Sequence, residues 1–146
     1  MNGRPLIFSM DNHMIEWNDK YSVNISLIDE QHKKLFEIIN KAIIVNKHGK
    51  VAKDVLGILD EMTEYALMHF EVEERYMKEF DFPEYLTHRK EHIDFTNNTI
   101  DYKNRVVGGD FQIINVILEY LKQWLVNHIQ VTDRQYIDCF KKNGLK

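Results

Sequence analysis

Cysteine, proline and glycine are scarce in this sequence, and each scarcity excludes a class of structure. The one cysteine among 146 residues, Cys139, excludes a framework of internal disulfides and suits a reducing compartment. Two prolines and six glycines leave long stretches uninterrupted, which favours long helices. No run approaches about 20 apolar residues, so no membrane span is expected. A net charge of −4 without a basic face argues against a nucleic-acid binder.

The first residues match no structural pattern. They contain one arginine and an apolar run only from Leu6 to Phe8, which is too short for a signal peptide, so the expected location is the cytoplasm. Residues 1–13 are either an N-terminal extension or precede a natural start at Met14. Residues 14–146 suffice for one domain with its own core, and 44% hydrophobic residues is an ordinary globular value.

Apolar residues recur three and four positions apart in four segments, which predicts four amphipathic helices. The first has Asp29 near its start and Gly49 just past its end, and the third opens after Pro83. Residues 108–110, Gly-Gly-Asp, predict a turn and a helix cap before the fourth. Because the connections are short, consecutive helices should be antiparallel neighbours. The prediction is an all-α, up-down-up-down antiparallel four-helix bundle with an N-terminal extended arm and a short C-terminal helix.

Seven ionisable residues extend these apolar stripes, at positions where apolar side chains are expected. They come from all four helices, and an antiparallel bundle brings all of them to the same end. Burying so many ionisable groups is costly unless something compensates them, and metal is the simplest compensation for several imidazoles. The seven residues are His32, His69, Glu73, His88, His92, His128 and Asp133.

The spacing of His128 and Asp133 does not fit a regular helix. Five residues apart, they lie about 140° out of line around an α-helix. To share a site, the helix must end, bulge or bend between them, as π-bulges do at functional sites. We expect that irregularity near Val131 and Thr132.

The chemistry of the seven side chains indicates a two-metal site. Imidazole and carboxylate without thiolate suit iron, manganese, copper or zinc better than calcium or magnesium. Five imidazoles exceed what one tetrahedral zinc uses. If two octahedral metals share both carboxylates and a bridging oxide or hydroxide, one coordination position stays vacant, where a small ligand can bind.

The ordered ligand pattern resembles that of the hemerythrin family. The matching segments are His32, His69-Phe70-x-x-Glu73, His88-x-x-x-His92 and His128-x-x-x-x-Asp133. The opening Trp17-Asn18-Asp19 and Ile28-Asp29-Glu30-Gln31-His32-Lys33 resembles the bacterial branch, and the match covers about residues 14–140. The resemblance implies a protein that is no enzyme and binds dioxygen reversibly, for transport, storage, delivery or sensing. Its cofactors would be two iron ions with a bridging oxide or hydroxide, and an oxygen-consuming enzyme is the partner such a carrier would serve.

The resemblance also implies a role for each residue. One iron, coordinatively saturated, would be held by His88, His92 and His128. The other iron would be held by His32 and His69 and would keep the open position, with the two carboxylates as bridges. An apolar oxygen pocket that keeps out water and external protons would be formed by Leu35, Phe70, Trp124, Leu125 and Ile129.

Other interpretations of the site remain open. An enzyme acting on peroxide or nitric oxide could use the same vacant position, although no acid or base on the stripes is left to move protons. A sensor module whose metal state alters a partner-binding surface is a second alternative. A metal-free bundle is a third, and it would leave seven polar groups buried without compensation. The histidine-rich ligand set favours a carrier over an oxidase, because di-iron oxidases build their sites mainly from glutamates.

Some single residues carry their own alternatives. Glu71 and Glu74 lie off the stripe and are expected at the surface, as are His13 and His48. Tyr136, three residues past Asp133, either hydrogen-bonds behind a ligand or simply packs. The large apolar residues assigned to the pocket would be core in any helical bundle, so that assignment rests on the resemblance.

Overall fold

The computed structural model describes residues 13–49 and 52–146, so residues 1–12 of the predicted extension lie outside the described residues. Within those ranges the structure is helical, without a strand, and the predicted four-helix bundle is confirmed. None of the helices there carries an apolar stretch long enough to cross a bilayer. The four long helices are α1, Ser26–Lys47; α2, Ala52–Glu79; α3, Tyr85–Val107; and α4, Ile114–Asn127.

Both ends of α1 follow from local sequence signals. In the first turn, Asp29 accepts hydrogen bonds from the Val23 backbone N–H at 2.9 Å and from the Ser22 hydroxyl at 2.5 Å. These bonds tie the preceding arm to the positive end of the helix. Beyond the last turn, Gly49 has a φ of +69°, in the left-handed region that favours glycine after a helix.

The start of α4 differs from the prediction. Residues 108–110 form the expected turn, but Asp110 does not cap the helix. Its carboxylate pairs with the Arg105 guanidinium at 3.2 Å, and a 3₁₀ turn, Phe111–Ile113, comes before α4. The predicted Asp110 cap is therefore wrong, because a nearby cation competes for the carboxylate.

The chain after α4 contains the irregularity that the spacing requires. It continues as a π-helix, His128–Thr132, then as a 3₁₀ turn, Asp133–Tyr136, and then as the short helix α5, Ile137–Lys142. The Asp133 backbone N–H donates to the His128 carbonyl, a bond across five residues. This wider turn places His128 and Asp133 one above the other, so the predicted irregularity and the short C-terminal helix are both confirmed.

The arm that precedes α1 packs along the bundle. Ile15 donates its backbone N–H to Asn40 Oδ1 at 2.8 Å and accepts from Asn40 Nδ2 at 2.9 Å. Further along, the Trp17 ring packs edge-on against Phe36, with 5.4 Å between ring centroids. The arm thereby covers one face of α1, and the Lys122 ammonium of α4 donates to the His13 carbonyl at 3.1 Å.

Two hydrophobic clusters fill the bundle and leave a polar layer between them. The larger cluster includes Leu35 and Phe70, and the smaller one, at the end of the bundle, includes Ile28 and Tyr136. On α1, His32 lies one turn after Ile28 and one turn before Leu35, so it falls between the clusters. The metal-binding candidates therefore lie in a layer that apolar side chains shield on both sides.

Candidate metal centre

All seven candidate ligand residues are buried, and their ligand atoms meet in one place. These atoms form two groups, and within each group they lie within 4.8 Å of one another. The first group contains Glu73, His88, His92, His128 and Asp133. The second contains His32, His69 and the same two carboxylates. The structure therefore brings together every residue that the sequence pattern singled out, and their role as metal ligands stays a prediction.

Asp133 presents one oxygen to each group of histidines. Its Oδ1 lies 3.0 Å from Nε2 of both His88 and His128. Its Oδ2 lies 3.1 Å from His32 Nε2, in the other group. The π-helix His128–Thr132 makes this possible, because it turns the Asp133 carboxylate back toward His128.

Glu73 is shared in the same way. Its Oε1 lies 3.3 Å from His92 Nε2, and its Oε2 lies 3.3 Å from His69 Nε2. The Tyr136 hydroxyl donates to Oε2 at 2.5 Å, and the Tyr136 ring stacks on Phe140 with 4.1 Å between centroids. Tyr136 therefore fills both roles considered for it, packing and holding a candidate ligand.

The atoms that face the centre fit metal ions better than they fit one another. His32 Nε2, His88 Nε2 and both Asp133 oxygens are buried without an aligned hydrogen bond in the described part of the chain, despite contacts near 3 Å. His92 Nε2 and His128 Nε2 are 3.1 Å apart. Such groups point at a common centre instead of at each other, which is the arrangement that ligands of one ion adopt. The donor set suits iron, manganese, copper or zinc.

Three of the five histidines use their outer nitrogen, Nδ1, for a hydrogen bond that sequence reasoning missed. The pairs are His69 with Gln31 Oε1 at 2.6 Å, His92 with Glu74 Oε2 at 2.8 Å, and His128 with Glu91 Oε1 at 2.9 Å. Carboxylate and amide oxygens accept, so each Nδ1 carries the proton and each Nε2 is free to bind metal. Each of α1, α2 and α3 thus supplies the outer partner for a histidine further along the chain, on α2, on α3 and on the π-helix after α4.

The expectation that Glu74 is a solvated surface residue is wrong, because its carboxylate accepts from His92. Glu71, His13 and His48 are exposed, as expected. A signal for the missed partners does exist in the sequence. Gln31, Glu74 and Glu91 are each the immediate chain neighbour of a candidate ligand, so each begins next to the site.

The two shared carboxylates govern the charge of the histidines in the metal-free protein. Burial lowers the pKa of His128, but the negative charge of Asp133, whose Oδ1 lies 3.0 Å from His128 Nε2, outweighs it and raises the pKa to about 10. Burial also lowers the pKa of His32, but the neighbouring carboxylates Asp133 and Glu73 outweigh burial and raise it to about 9. Burial and the charge of Glu73 raise the pKa of Asp133, but its histidine neighbours hold it well below its ordinary value. His32 and His128 are therefore cationic at neutral pH before metal binds.

Metal uptake at neutral pH should therefore release at least two protons per chain, from His32 and His128, because an imidazole must lose its second proton to bind metal. The release is measured with a pH indicator in weakly buffered solution as zinc or ferrous iron is added anaerobically. His128→Ala should release about one proton fewer. His48→Ala, which changes an exposed histidine, is the matched control and should release as many as the unaltered chain. Metal binding without proton release would contradict this charge assignment.

Two of the five residues predicted to form an oxygen pocket stack on these histidines, and all five belong to or pack against one hydrophobic cluster. Phe70 stacks on His92 with 3.9 Å between ring centroids and 8° between planes. Trp124 stacks on His128 at 4.3 Å and 12°. The others are buried in the same large cluster as Phe70; they are Leu35, Leu125 and Ile129. Their role toward dioxygen stays a prediction.

Comparisons of this chain with family models, with curated proteins and with solved structures agree with one another. The family model described as "Hemerythrin HHE cation binding domain" matches residues 23–140, a range that includes all seven convergent residues. A bacteriohemerythrin of Clostridium acetobutylicum is 32% identical over 133 residues, which cover 86% of this chain and 100% of that protein. One of Stenotrophomonas maltophilia is 30% identical over 128 residues, covering 88% and 82%. A crystal structure of wild-type hemerythrin superposes with a TM-score of 0.79 at 25% identity, covering 88% of this chain and 98% of that one.

Proposed function

This chain belongs to the hemerythrin family, and on that premise we propose that it binds dioxygen reversibly at a non-haem di-iron centre, for transport, storage, delivery or sensing. One observation carries the proposal. The buried ligand set divides into three histidines on one side and two on the other, with both carboxylates shared. With an oxide or hydroxide bridge, three histidines complete an octahedral iron, whereas two leave the other iron one ligand short.

The residues around the centre would prepare it for a small apolar ligand. When bound, the two irons would supply electrons and the open coordination position. The Nδ1 hydrogen bonds fix the rings of three histidines, so that Nε2 points at the centre with little rearrangement. Tyr136 holds Glu73 in its shared position. Apolar side chains such as Leu125 and Ile129 offer no hydrogen bond to water, so they would keep water and protons from the ligand.

The surroundings also favour a carrier over an enzyme. Within the described ranges, the buried carboxylates are Glu73 and Asp133, and both face the histidines. Glu74 and Glu91 are partly exposed and already accept from histidines. The one other buried acid in the described part of the site is Tyr136, whose hydroxyl already donates to Glu73 and whose pKa burial raises well above its ordinary value, so it is a poor proton donor to a reduced oxygen species. This supports reversible binding and not turnover of peroxide or nitric oxide.

An absorption cycle tests the proposal. Iron-loaded protein, reduced under argon and then exposed to air, should develop ligand-to-metal charge-transfer bands that vanish when oxygen is removed. His69→Ala should abolish the cycle, because it removes one of two histidines at the open iron. His48→Ala should leave the cycle intact. Bands that form irreversibly, or a colourless protein that retains zinc, would count against reversible dioxygen binding.

A polar group in the predicted pocket should speed autoxidation. In the Leu125→Thr variant, a hydroxyl enters a buried apolar position, and we expect oxidation of the oxygen-loaded form to accelerate by about tenfold, since water and protons gain access. The decay of the charge-transfer bands measures the rate. Leu118→Thr, in the same helix and equally buried, is the matched control and should destabilise the fold without this acceleration. An unchanged rate in Leu125→Thr would remove that residue from the pocket.

A further inference from the structure

The outer hydrogen bonds of the candidate ligands differ in charge between the two sides of the centre. On the three-histidine side, His92 and His128 donate to carboxylates, Glu74 and Glu91. On the two-histidine side, His69 donates to the neutral amide oxygen of Gln31. The two sides are therefore unequal in the charge of the groups that support their ligands.

The other two histidines, His32 and His88, do not remove this charge difference. His32 Nδ1 and His88 Nδ1 are both buried without a hydrogen-bond partner among the described residues. His32 belongs to the two-histidine side and His88 to the three-histidine side, so neither adds to the charge difference between the two sides. The three-histidine side keeps two anionic acceptors, and the two-histidine side keeps none.

All three acceptors have a second contact. Glu74 Oε1 lies 3.8 Å from Arg89 Nε, a long and half-exposed ion pair that only partly offsets the charge of the carboxylate. Glu91 Oε1 also accepts from the Thr132 hydroxyl at 2.9 Å. Gln31 is buried, and its Nε2 lies 3.8 Å from the Met68 sulfur, which keeps its oxygen toward His69. The charge difference is thus built into fixed side chains.

The charge of such an acceptor changes the ligand. A carboxylate that accepts from Nδ1–H draws the proton outward and makes Nε2 a stronger electron donor, which stabilises the higher oxidation state of the metal. An amide oxygen fixes the same ring orientation without adding that negative charge. The Nδ1 hydrogen bond therefore fixes the orientation of the ring, and the charge of the acceptor determines how strongly Nε2 donates electrons to the metal.

We infer that Gln31 is a positioning residue that holds the metal of the two-histidine side at a higher reduction potential than the metal of the three-histidine side. The inference rests on the di-iron centre of the proposed function, but it does not require dioxygen binding. With both metals bound, Gln31 would make the metal beside the open position the harder of the two to oxidise.

Gln31→Glu tests the inference with an almost isosteric change. The one-electron potentials of the iron-loaded protein are measured by anaerobic spectroelectrochemistry. We expect the potential of the two-histidine iron to fall by about 59 mV, which corresponds to a tenfold change in its oxidised-to-reduced ratio. The two potentials should therefore move closer together.

Glu91→Gln tests the same inference from the other side, and it stays informative if Gln31→Glu does not fold. Glutamine can still accept from His128 and Thr132, so the geometry is kept while the charge is removed. The potential of the three-histidine iron should rise, again by about tenfold in the oxidised-to-reduced ratio. Glu71→Gln removes the same charge from an exposed position and should shift neither potential, because solvent screens it.

A second readout needs neither iron nor oxygen. In the zinc-loaded protein, the proton NMR resonance of His69 Nδ1–H should move downfield in Gln31→Glu, since a carboxylate makes the stronger hydrogen bond. Equal potentials in the unaltered protein would overturn the inference, as would a separation that neither variant changes. An intact potential difference in a protein that fails the oxygen cycle would reject the carrier function alone.

Discussion

Replacing Asp133 with alanine should reduce the metal content from two ions per chain to one at most. The carboxylate contacts histidines of both groups, with Oδ1 3.0 Å from His88 and His128 and Oδ2 3.1 Å from His32. Its loss removes a ligand from each metal at once. Metal content is measured by elemental analysis after anaerobic loading and gel filtration.

The same change should also destabilise the metal-free fold. Asp133 is fully buried, and removing one partner of a buried charged pair typically costs about 3–5 kcal/mol, because the other partner is left without compensation. Urea unfolding of the metal-free variant measures the loss. Asp138→Ala, which removes an exposed carboxylate from the same C-terminal segment, is the control and should change neither stability nor metal content. An Asp133→Ala protein that retains two ions would show that Asp133 is no bridge.

Removing metal from the unaltered chain should lower its melting temperature by roughly 8–16 °C. Metal at a thousandfold excess over its dissociation constant adds about 4 kcal/mol to the folded state, and each kcal/mol shifts the melting temperature of a domain this size by about 2–4 °C. Without metal, the buried carboxylates have only the histidines and the Tyr136 hydroxyl as partners. Calorimetry of the loaded and chelator-treated protein measures the difference, and equal melting temperatures would show that metal is not integral to the fold.

The difference in melting temperature between the metal-loaded and the metal-free protein should widen as pH rises. In the metal-free protein the raised pKa values of His32 and His128 contribute stability that is complete below about pH 6.5. That contribution is lost as pH rises through about 9 for His32 and about 10 for His128. Metal binding has the opposite dependence, since it needs neutral imidazoles and weakens as pH falls. Loaded and metal-free protein should therefore melt at closer temperatures at about pH 5.5 than at about pH 8.

The sequence predicted the inward-facing residues well, because residues on the buried face of a helix recur three and four positions apart. His32 could be placed between Ile28 and Leu35 from spacing alone, and the structure confirms its burial. The five-residue spacing of His128 and Asp133 was informative because it was incompatible with a regular helix, and the π-turn resolves it. Geometry that concerns one helix was therefore predictable.

Contacts between helices were harder to predict. Gln31, Glu74 and Glu91 lie beside the apolar stripe, where a small rotation of the helix decides whether a side chain faces solvent or the next helix. That rotation depends on how side chains of two helices interdigitate, which no local pattern contains. The Asp110 cap failed for a related reason, because the pairing with Arg105 depends on the conformation of the whole turn.

Anomalous diffraction from crystals of the iron-loaded protein, collected above and below the iron absorption edge, would locate the metal ions among the seven candidate ligands. We expect two iron peaks per chain, one among His88, His92 and His128 and the other beside His32 and His69. Glu73 and Asp133 should each contact both peaks, and the second iron should have one ligand position that the protein does not fill. A single peak, or two peaks without a shared carboxylate, would contradict the two-metal centre on which the proposed function depends.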